Sequence, residues 1–316
     1  MKLLLPFLLS LTTTASLAQG WPQQPVRIVV PAPAGSSLDI IVRTLGERLK
    51  ERWRQPLIVE NKAGAGGMLG MDVVAKAAPD GYTLGIGFNG PIAFGPFLYK
   101  KMPYDPAKHL VPIVLTTSQP NVLAVNAAIP VKTLAEFVEW ARRNKVSYGS
   151  LGNGSSSHLT MELFRSVTGF DAVHVPYAGS PPAGQSLAAG DTQALFSVAP
   201  ALLPLVQGGR VRFLATTSVR RIEGMGDLPT VAESGYPGFE ALAWNGLFAP
   251  AGVSAEVLQR INADVNAVMQ EPAVREAFAK QALIPGGGSA AEFKGFIDVE
   301  ARKWGAIIDK VGIKLD

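Results

Sequence analysis

Short apolar runs and amphipathic stretches alternate along most of the chain. Val26-Arg27-Ile28-Val29-Val30 reads as a buried strand. Ile40, Ile41, Leu45, Leu49 and Trp53 then fall on one helical face, with Arg43, Glu47, Lys50 and Arg54 off it. Further strands are predicted at 57–59, 83–88, 113–117, 122–125, 146–150, 173–177, 194–198 and 211–217. Between them lie helical patterns. One runs through Val73, Val74 and Ala77, and another buries Leu134, Phe137, Val138 and Ala141. A third starts at about His158 and stops at Gly169; a fourth is capped by Ser180, with Pro181 at its first position, and ends at Gly190. The chain closes with a helix capped by Ser254 and a long one opened by a Ser289–Glu292 capping box and ended by Gly312.

Strands alternating with helices imply an α/β fold. The Pro-rich passage after residue 100 and the Trp244-Asn245-Gly246-Leu247-Phe248 run read as two crossings between lobes. The expected organisation is residues 19–122 as the first part of lobe 1, 123–243 as lobe 2, and 244–316 as the return to lobe 1. A cleft between two lobes is the usual place for a ligand.

Residues 1–18 stand outside this pattern. Lys2 is their only charge, Leu3 to Leu11 is apolar, and Ser16-Leu17-Ala18 offers small residues for cleavage. This reads as a secretory signal peptide whose apolar core is too short to span a bilayer. An apolar fraction of 47% with 17% charged residues is that of a folded globular chain. With no Cys, disulfides, zinc thiolate sites and thiol nucleophiles are all excluded. The net charge of +4 comes from scattered basic residues without interleaved aromatics, so nucleic acid is not an expected partner.

The chemistry concentrates in two loops. Pro31-Ala32-Pro33-Ala34-Gly35-Ser36-Ser37-Leu38-Asp39 joins the first strand to the first helix, and Ser150-Leu151-Gly152-Asn153-Gly154-Ser155-Ser156-Ser157-His158 repeats the design later. A helix N-terminus carries free backbone N–H groups and the positive dipole end, so each loop is an anion site in waiting. Neither loop contains Arg or Lys. Ser36 reads as a helix cap or a ligand contact, and Ser37 beside it lies in the open turn. Asp39 has capping-box spacing and would repel a carboxylate directly. Among Ser155, Ser156 and Ser157 one is a cap, leaving two at most for a ligand. His158 either bonds the ligand or satisfies a loop carbonyl, and His109 and His174 read as structural.

Other motifs carry less. Gly64-Ala65-Gly66-Gly67-Met68-Leu69-Gly70 misses the dinucleotide fingerprint by one residue and reads as a packing loop. Ser156 and His158 lie too close along one helix start to act as a nucleophile–base pair, and no Gly-x-Ser-x-Gly elbow exists, which argues against a hydrolase. Three distant His offer no metal triad, so no metal and no cofactor are expected.

The ordered motifs also carry a resemblance. They are Val30-Pro31-Ala32-Pro33-Ala34-Gly35 with Asp39, Glu60-Asn61-Lys62, Pro79-Asp80-Gly81-Tyr82, Gly152-Asn153-Gly154-Ser155-Ser156, Val175-Pro176-Tyr177, Leu228-Pro229-Thr230-Val231 and Gly246-Leu247-Phe248-Ala249-Pro250. With them the chain resembles, over nearly its full length after residue 18, the substrate-binding proteins of tripartite tricarboxylate transporters, the Bug family. The resemblance implies a periplasmic, two-lobe binding protein of the type II-like Venus flytrap kind, monomeric and not an enzyme. It would close on a small carboxylate and deliver it to membrane subunits of a tripartite tricarboxylate transporter. A ligand-sensing subunit for a membrane signalling partner is the alternative reading. The implied ligand set is Ala34, Ser36, Ser37, Leu38, Asp39, Asn89, Gly90, Ser155, Ser156, Ser157, His158, Tyr177, Ser197 and Trp244. Asn89 also reads as a turn residue, and Tyr177 and Trp244 as core aromatics. Three positions depart from the family pattern: Leu38 replaces a hydroxyl residue, and Ser186 and Ser197 stand where Asp is common. Those departures lead us to expect a less polar ligand than an amino acid, an aromatic or branched carboxylate.

Overall fold

The computed structural model describes residues 20–222 and 225–315. The segment read as a signal peptide lies outside them. In chain order the elements are β1 (Val26–Val30), α1 (Ser37–Trp53), β2 (Leu57–Asn61), α2 (Met68–Ala75) and β3 (Thr83–Phe88). A wide π-helical turn at Gly90–Phe94 leads to α3 (Gly95–Leu98), α4 (Pro106–His109) and the long β4 (Leu110–Asn126). Then come α5 (Leu134–Ala141), β5 (Ser147–Ser150), α6 (Ser156–Thr168), β6 (Val173–Pro176), α7 (Ser180–Ala189) and β7 (Ala194–Val198). The chain finishes with α8 (Leu203–Gln207), β8 (Val211–Thr216), β9 (Leu242–Pro250), α9 (Ala255–Met269), α10 (Pro272–Ala279), β10 (Ile284–Gly287) and α11 (Ala290–Val311).

The strands order as β2-β1-β3-β9-β4-β7-β5-β6, with β8 and β10 also paired to β4. β1 is parallel to β2 and β3, and β5 is parallel to β6 and β7. Two parallel halves are thus joined through antiparallel β9 and β4. β4 is the shared member: its first half pairs with β9 and β10, its second with β7 and β8. The expected boundaries at 122/123 and 243/244 fall inside β4 and β9, so the exchange between lobes runs along two continuous strands.

The register shows where the lobes meet. Phe88, at the end of β3, pairs with Asn245, which pairs with Thr117 of β4. From the other side, Val198 at the end of β7 pairs with Asn121. The carboxyl ends of both parallel halves therefore run toward one short crossing, 117–121 on β4 and 242–245 on β9. In open α/β sheets that is where ligands bind.

Several sequence expectations are corrected. The two strands expected at 113–117 and 122–125 are one strand of 17 residues; the polar Ser118-Gln119-Pro120-Asn121 run reads as a break but is paired throughout with β9 and β7. α6 begins two residues earlier than expected, because Ser155 and not a later serine caps it. α7 has Gly179 at its cap with no side-chain bond, and Ser180 is its first residue. α2 stops at Ala75, short of Ala77. The Ser254 cap, the Ser289–Glu292 capping box and the Gly190 and Gly312 helix ends are as expected.

Candidate functional site

The two loops are built alike to the level of single hydrogen bonds. Gly35 and Gly154 both take left-handed φ, 78° and 70°, which turns the chain sharply into the next residue. Ser36 and Ser155 follow as N-caps, extended at φ −70° with ψ 164° and 160°. Each hydroxyl accepts the amide of the third helical residue, Asp39 at 3.3 Å and His158 at 3.2 Å.

That third residue then reaches back past the cap. Asp39 Oδ2 accepts the Gly35 N–H at 2.9 Å, and His158 Nδ1 accepts the Gly154 N–H at 3.2 Å. Both differ from the sequence reading: Asp39 bonds the residue before the cap, where a capping box would bond the cap itself, and His158 satisfies a loop amide in place of a carbonyl. With these bonds made, the amides of the first two helical residues remain: Ser37 and Leu38 in one loop, Ser156 and Ser157 in the other. They make no bond among the described residues. Four N–H groups at two helix N-termini are the donors an anion needs. Each helix end favours negative charge by about 0.3–1 kcal/mol when exposed and up to about 2 when partly buried.

The charges around the loops are already spoken for. Asp39 is buried, and Arg43 Nε and Asn61 Nδ2 donate to it at 2.9 and 3.0 Å. Burial pushes its carboxyl up, but Arg43, the Gly35 amide and Asn61 together outweigh that and hold it below the ordinary carboxylate range. His158 is buried, its ring 3.9 Å from the His174 ring and nearly parallel to it. Burial first, then His174 and Arg165, push its pKa down to about 3, so it stays neutral and keeps its acceptor. His174 in turn bonds Ser150 Oγ at 2.6 Å, and that hydroxyl lies 3.2 Å from the Gly152 amide. The second loop is thus anchored on a stacked histidine pair.

The other predicted residues divide into two groups. Ala34 is exposed, and Ser36, Ser37, Ser155 and Ser156 are partly exposed. Asn89 is buried and donates from Nδ2 to the Leu242 carbonyl at the crossing, 3.3 Å away. A Cβ placed on Gly90 would lie 3.6 Å from the Gly154 carbonyl, so the end of β3 meets the second loop there. The second group points into the protein. Leu38 packs in the cluster of β1, α1 and α9, leaving its backbone N–H as its free group. Ser157 donates its hydroxyl to the Phe196 carbonyl. The Tyr177 hydroxyl lies 2.5 Å from Ser186 Oγ, which is 3.4 Å from Thr192 Oγ1. Ser197 is fully buried and its hydroxyl has no partner among the described residues. Trp244 is fully buried, edge-on to Phe293 and Phe296.

Sequence reading missed the amides of the crossing. Asn121 donates to Ser156 Oγ at 3.0 Å and Thr160 Oγ1 at 3.3 Å, and Asn245 donates to Thr117 Oγ1 at 3.0 Å. Their signal was the polar run that interrupts an otherwise apolar strand. Two open cavities, of about 750 and 630 Å³, lie elsewhere on lobe 2, one beside Trp140 and Arg210 and one beside Lys132 and Phe213. Neither includes a residue of the two loops.

Two α/β halves sharing a pair of crossing strands, with capped helix N-termini above the crossing, define a two-lobe binding protein. The chain belongs to the tripartite tricarboxylate transporter receptor family, whose model matches residues 41–313. Protein BugT of Bordetella pertussis is 36% identical over 301 residues, which is 94% of this chain and 92% of that one. A Rhodopseudomonas palustris structure, Rpa4515 with adipate, has a TM-score of 0.88 at 33% identity and covers 94% of this chain and 100% of that chain. MatC from the same organism with bound malate has a TM-score of 0.83 at 29% identity, over 91% and 100% of the two chains.

Proposed function

We propose that this protein is a periplasmic receptor that captures a small carboxylate between its lobes and delivers it to the membrane subunits of a tripartite tricarboxylate transporter. Residues 1–18 export it and are then removed, and it performs no chemistry on its ligand. The observation that supports this reading is the paired loop: two glycine-serine turns with identical capping geometry leave the Ser37, Leu38, Ser156 and Ser157 amides free, at strand ends that run to one crossing. Ser36, Ser155, Asp39 and His158 hold those amides in place. Ser37 and Ser156 add hydroxyls, and the buried Asn89 and Gly90 tie the end of β3 to the crossing and to the second loop. The likeness to proteins solved with adipate and with malate supports carboxylates as the ligand class.

The site is neutral on its ligand side, because Asp39 is tied to Arg43 and His158 is uncharged. Neutral donors bind an anion without the desolvation cost of a buried cation, and they release it readily. The test is a thermal-shift screen followed by calorimetric titration with mono-, di- and tricarboxylates, aromatic acids, amino acids and amides. A carboxylate at a hundred times its Kd should stabilise the fold by about 2.7 kcal/mol, while matched amides and alcohols leave it unchanged. A panel in which no acid shifts the transition would overturn the proposal.

A further inference from the structure

At the strand crossing lies a polar side chain that the capping scheme does not use. Gln119 sits in the middle of β4, opposite Ala243 of β9, at the crossing. It is 6% exposed. Its carboxamide has no hydrogen bond to any described residue, and its polar atoms are not among the fully occluded ones, so the head of the side chain meets solvent while its stem is enclosed. Buried polar groups are normally paired within the protein, so a carboxamide left open at the strand crossing is available to a ligand.

Its direction follows from the strand period of two. Thr117 and Asn121 flank Gln119 on the same face of β4. Thr117 accepts from Asn245, and Asn245 shares its face of β9 with Leu247, which packs in the cluster with α1. Asn121 donates to Ser156 in the first turn of α6. Gln119 therefore lies on the face of the crossing that carries α1 in lobe 1 and the first turn of α6 in lobe 2, with Thr117 and Asn121 fixed by hydrogen bonds on either side of it. Ala243 opposite is too small to reach the carboxamide.

We propose that Gln119 is a specificity-determining residue that reads a second oxygen-bearing group of the ligand. The loops hold the first carboxylate, and Gln119 Nε2–H donates to a hydroxyl or carboxylate oxygen farther along. An uncharged carboxamide cannot neutralise a second charge, but it distinguishes an oxygen from a methyl group sharply: a site built to hydrogen-bond a ligand oxygen is left with an unpaired polar group when the analogue lacks it. The ligand class this selects is dicarboxylic or hydroxycarboxylic acids over plain monocarboxylic acids of equal length. The inference rests on the carboxylate-receptor reading above.

The test is calorimetric titration of the wild-type chain, Gln119→Leu and Gln119→Glu with four matched pairs: adipate and hexanoate, succinate and butyrate, malate and butyrate, 4-hydroxybenzoate and benzoate. Wild type should bind the oxygen-bearing member of at least one pair tenfold or more tighter than its partner. Gln119→Leu should cut that ratio at least tenfold with the monoacid Kd unchanged. It should also leave the melting temperature of the ligand-free protein the same or higher, because an unpartnered polar group has been replaced by an apolar one of similar size. Gln119→Glu keeps the shape, adds a charge, and should weaken the diacid more than Gln119→Leu does. Equal discrimination in wild type and Gln119→Leu overturns the inference. So does a wild type that prefers the monoacids, or that binds no member of any pair while other acids shift its melting. A Gln119→Leu chain that melts lower and binds both members of a pair equally worse would show a packing role and overturn it too. Failure of every acid to bind wild type overturns the receptor reading itself.

Discussion

Asp39 and His158 do the same work with different charge. Each stands third in its helix and accepts the amide just before the cap. The aspartate does so as a carboxylate balanced here by Arg43, whereas the histidine does so by staying neutral. The cost appears in acid. With its pKa at about 3 in the fold against an ordinary 6.5, His158 takes up a proton in the unfolded chain first, so stability is full above pH 6.5 and falls as the pH drops toward 3. His174, also lowered by burial, contributes with the same sign. One proton accounts for about 1.4 kcal/mol per pH unit. Urea denaturation between pH 7.5 and 4.5 should show this loss, and His158→Gln should make the slope shallower. An unchanged slope would refute the assignment. Asp39 and Asp264, held low by their partners, act with the same sign but only below about pH 4, outside that window. The serine caps were legible in the sequence because spacing alone identifies them. The acceptor role of His158 was not, because it depends on a ring buried against a second histidine 16 residues away in the chain and 3.9 Å away in space.

Most elements follow from local pattern. Apolar periodicity and cap residues located α1, α9 and α11 and the short parallel strands well. β4 and β9 did not follow, because a strand that passes from one lobe to the other changes what each face meets. Its centre is polar where it crosses between the lobes, and that centre reads as a gap. Gly246 shows how closely β9 is covered. A Cβ there would lie 2.1 Å from Phe293 Cζ and 2.9 Å from the Val114 carbonyl, so the first turn of α11 docks directly on bare backbone. Phe293 is itself buried and cannot retreat. Gly246→Ala should therefore destabilise by about 1–3 kcal/mol, read as a lower urea midpoint with the same m value. A midpoint equal to wild type would mean that α11 docks more loosely than this.

Over the whole molecule, each half has a cluster of its own and the two also share a third. A single apolar cluster takes in Val29, Met71 and Phe94 of lobe 1, Phe137, Phe164 and Phe196 of lobe 2, and Phe293 and Trp304 of α11. Phe94 and Trp304 meet at 5.0 Å. Lobes that share buried side chains lose them together, so calorimetry should show one transition with calorimetric and van't Hoff enthalpies equal. Two resolved transitions would show that the lobes unfold separately.

The amino-acid order was enough to establish the α/β class, both capped loops and the family, because caps, turns and apolar periods are local and repeat the same chemistry wherever they occur. What required the tertiary structure was which groups are left over. Ser157 and Leu38 turn inward, Ser37 and Ser156 stay open, and Gln119 is enclosed without a partner. Each of these outcomes depends on strands and helices far apart in the chain, and only their packing separates a side chain that holds the loop from one that is free to meet a ligand.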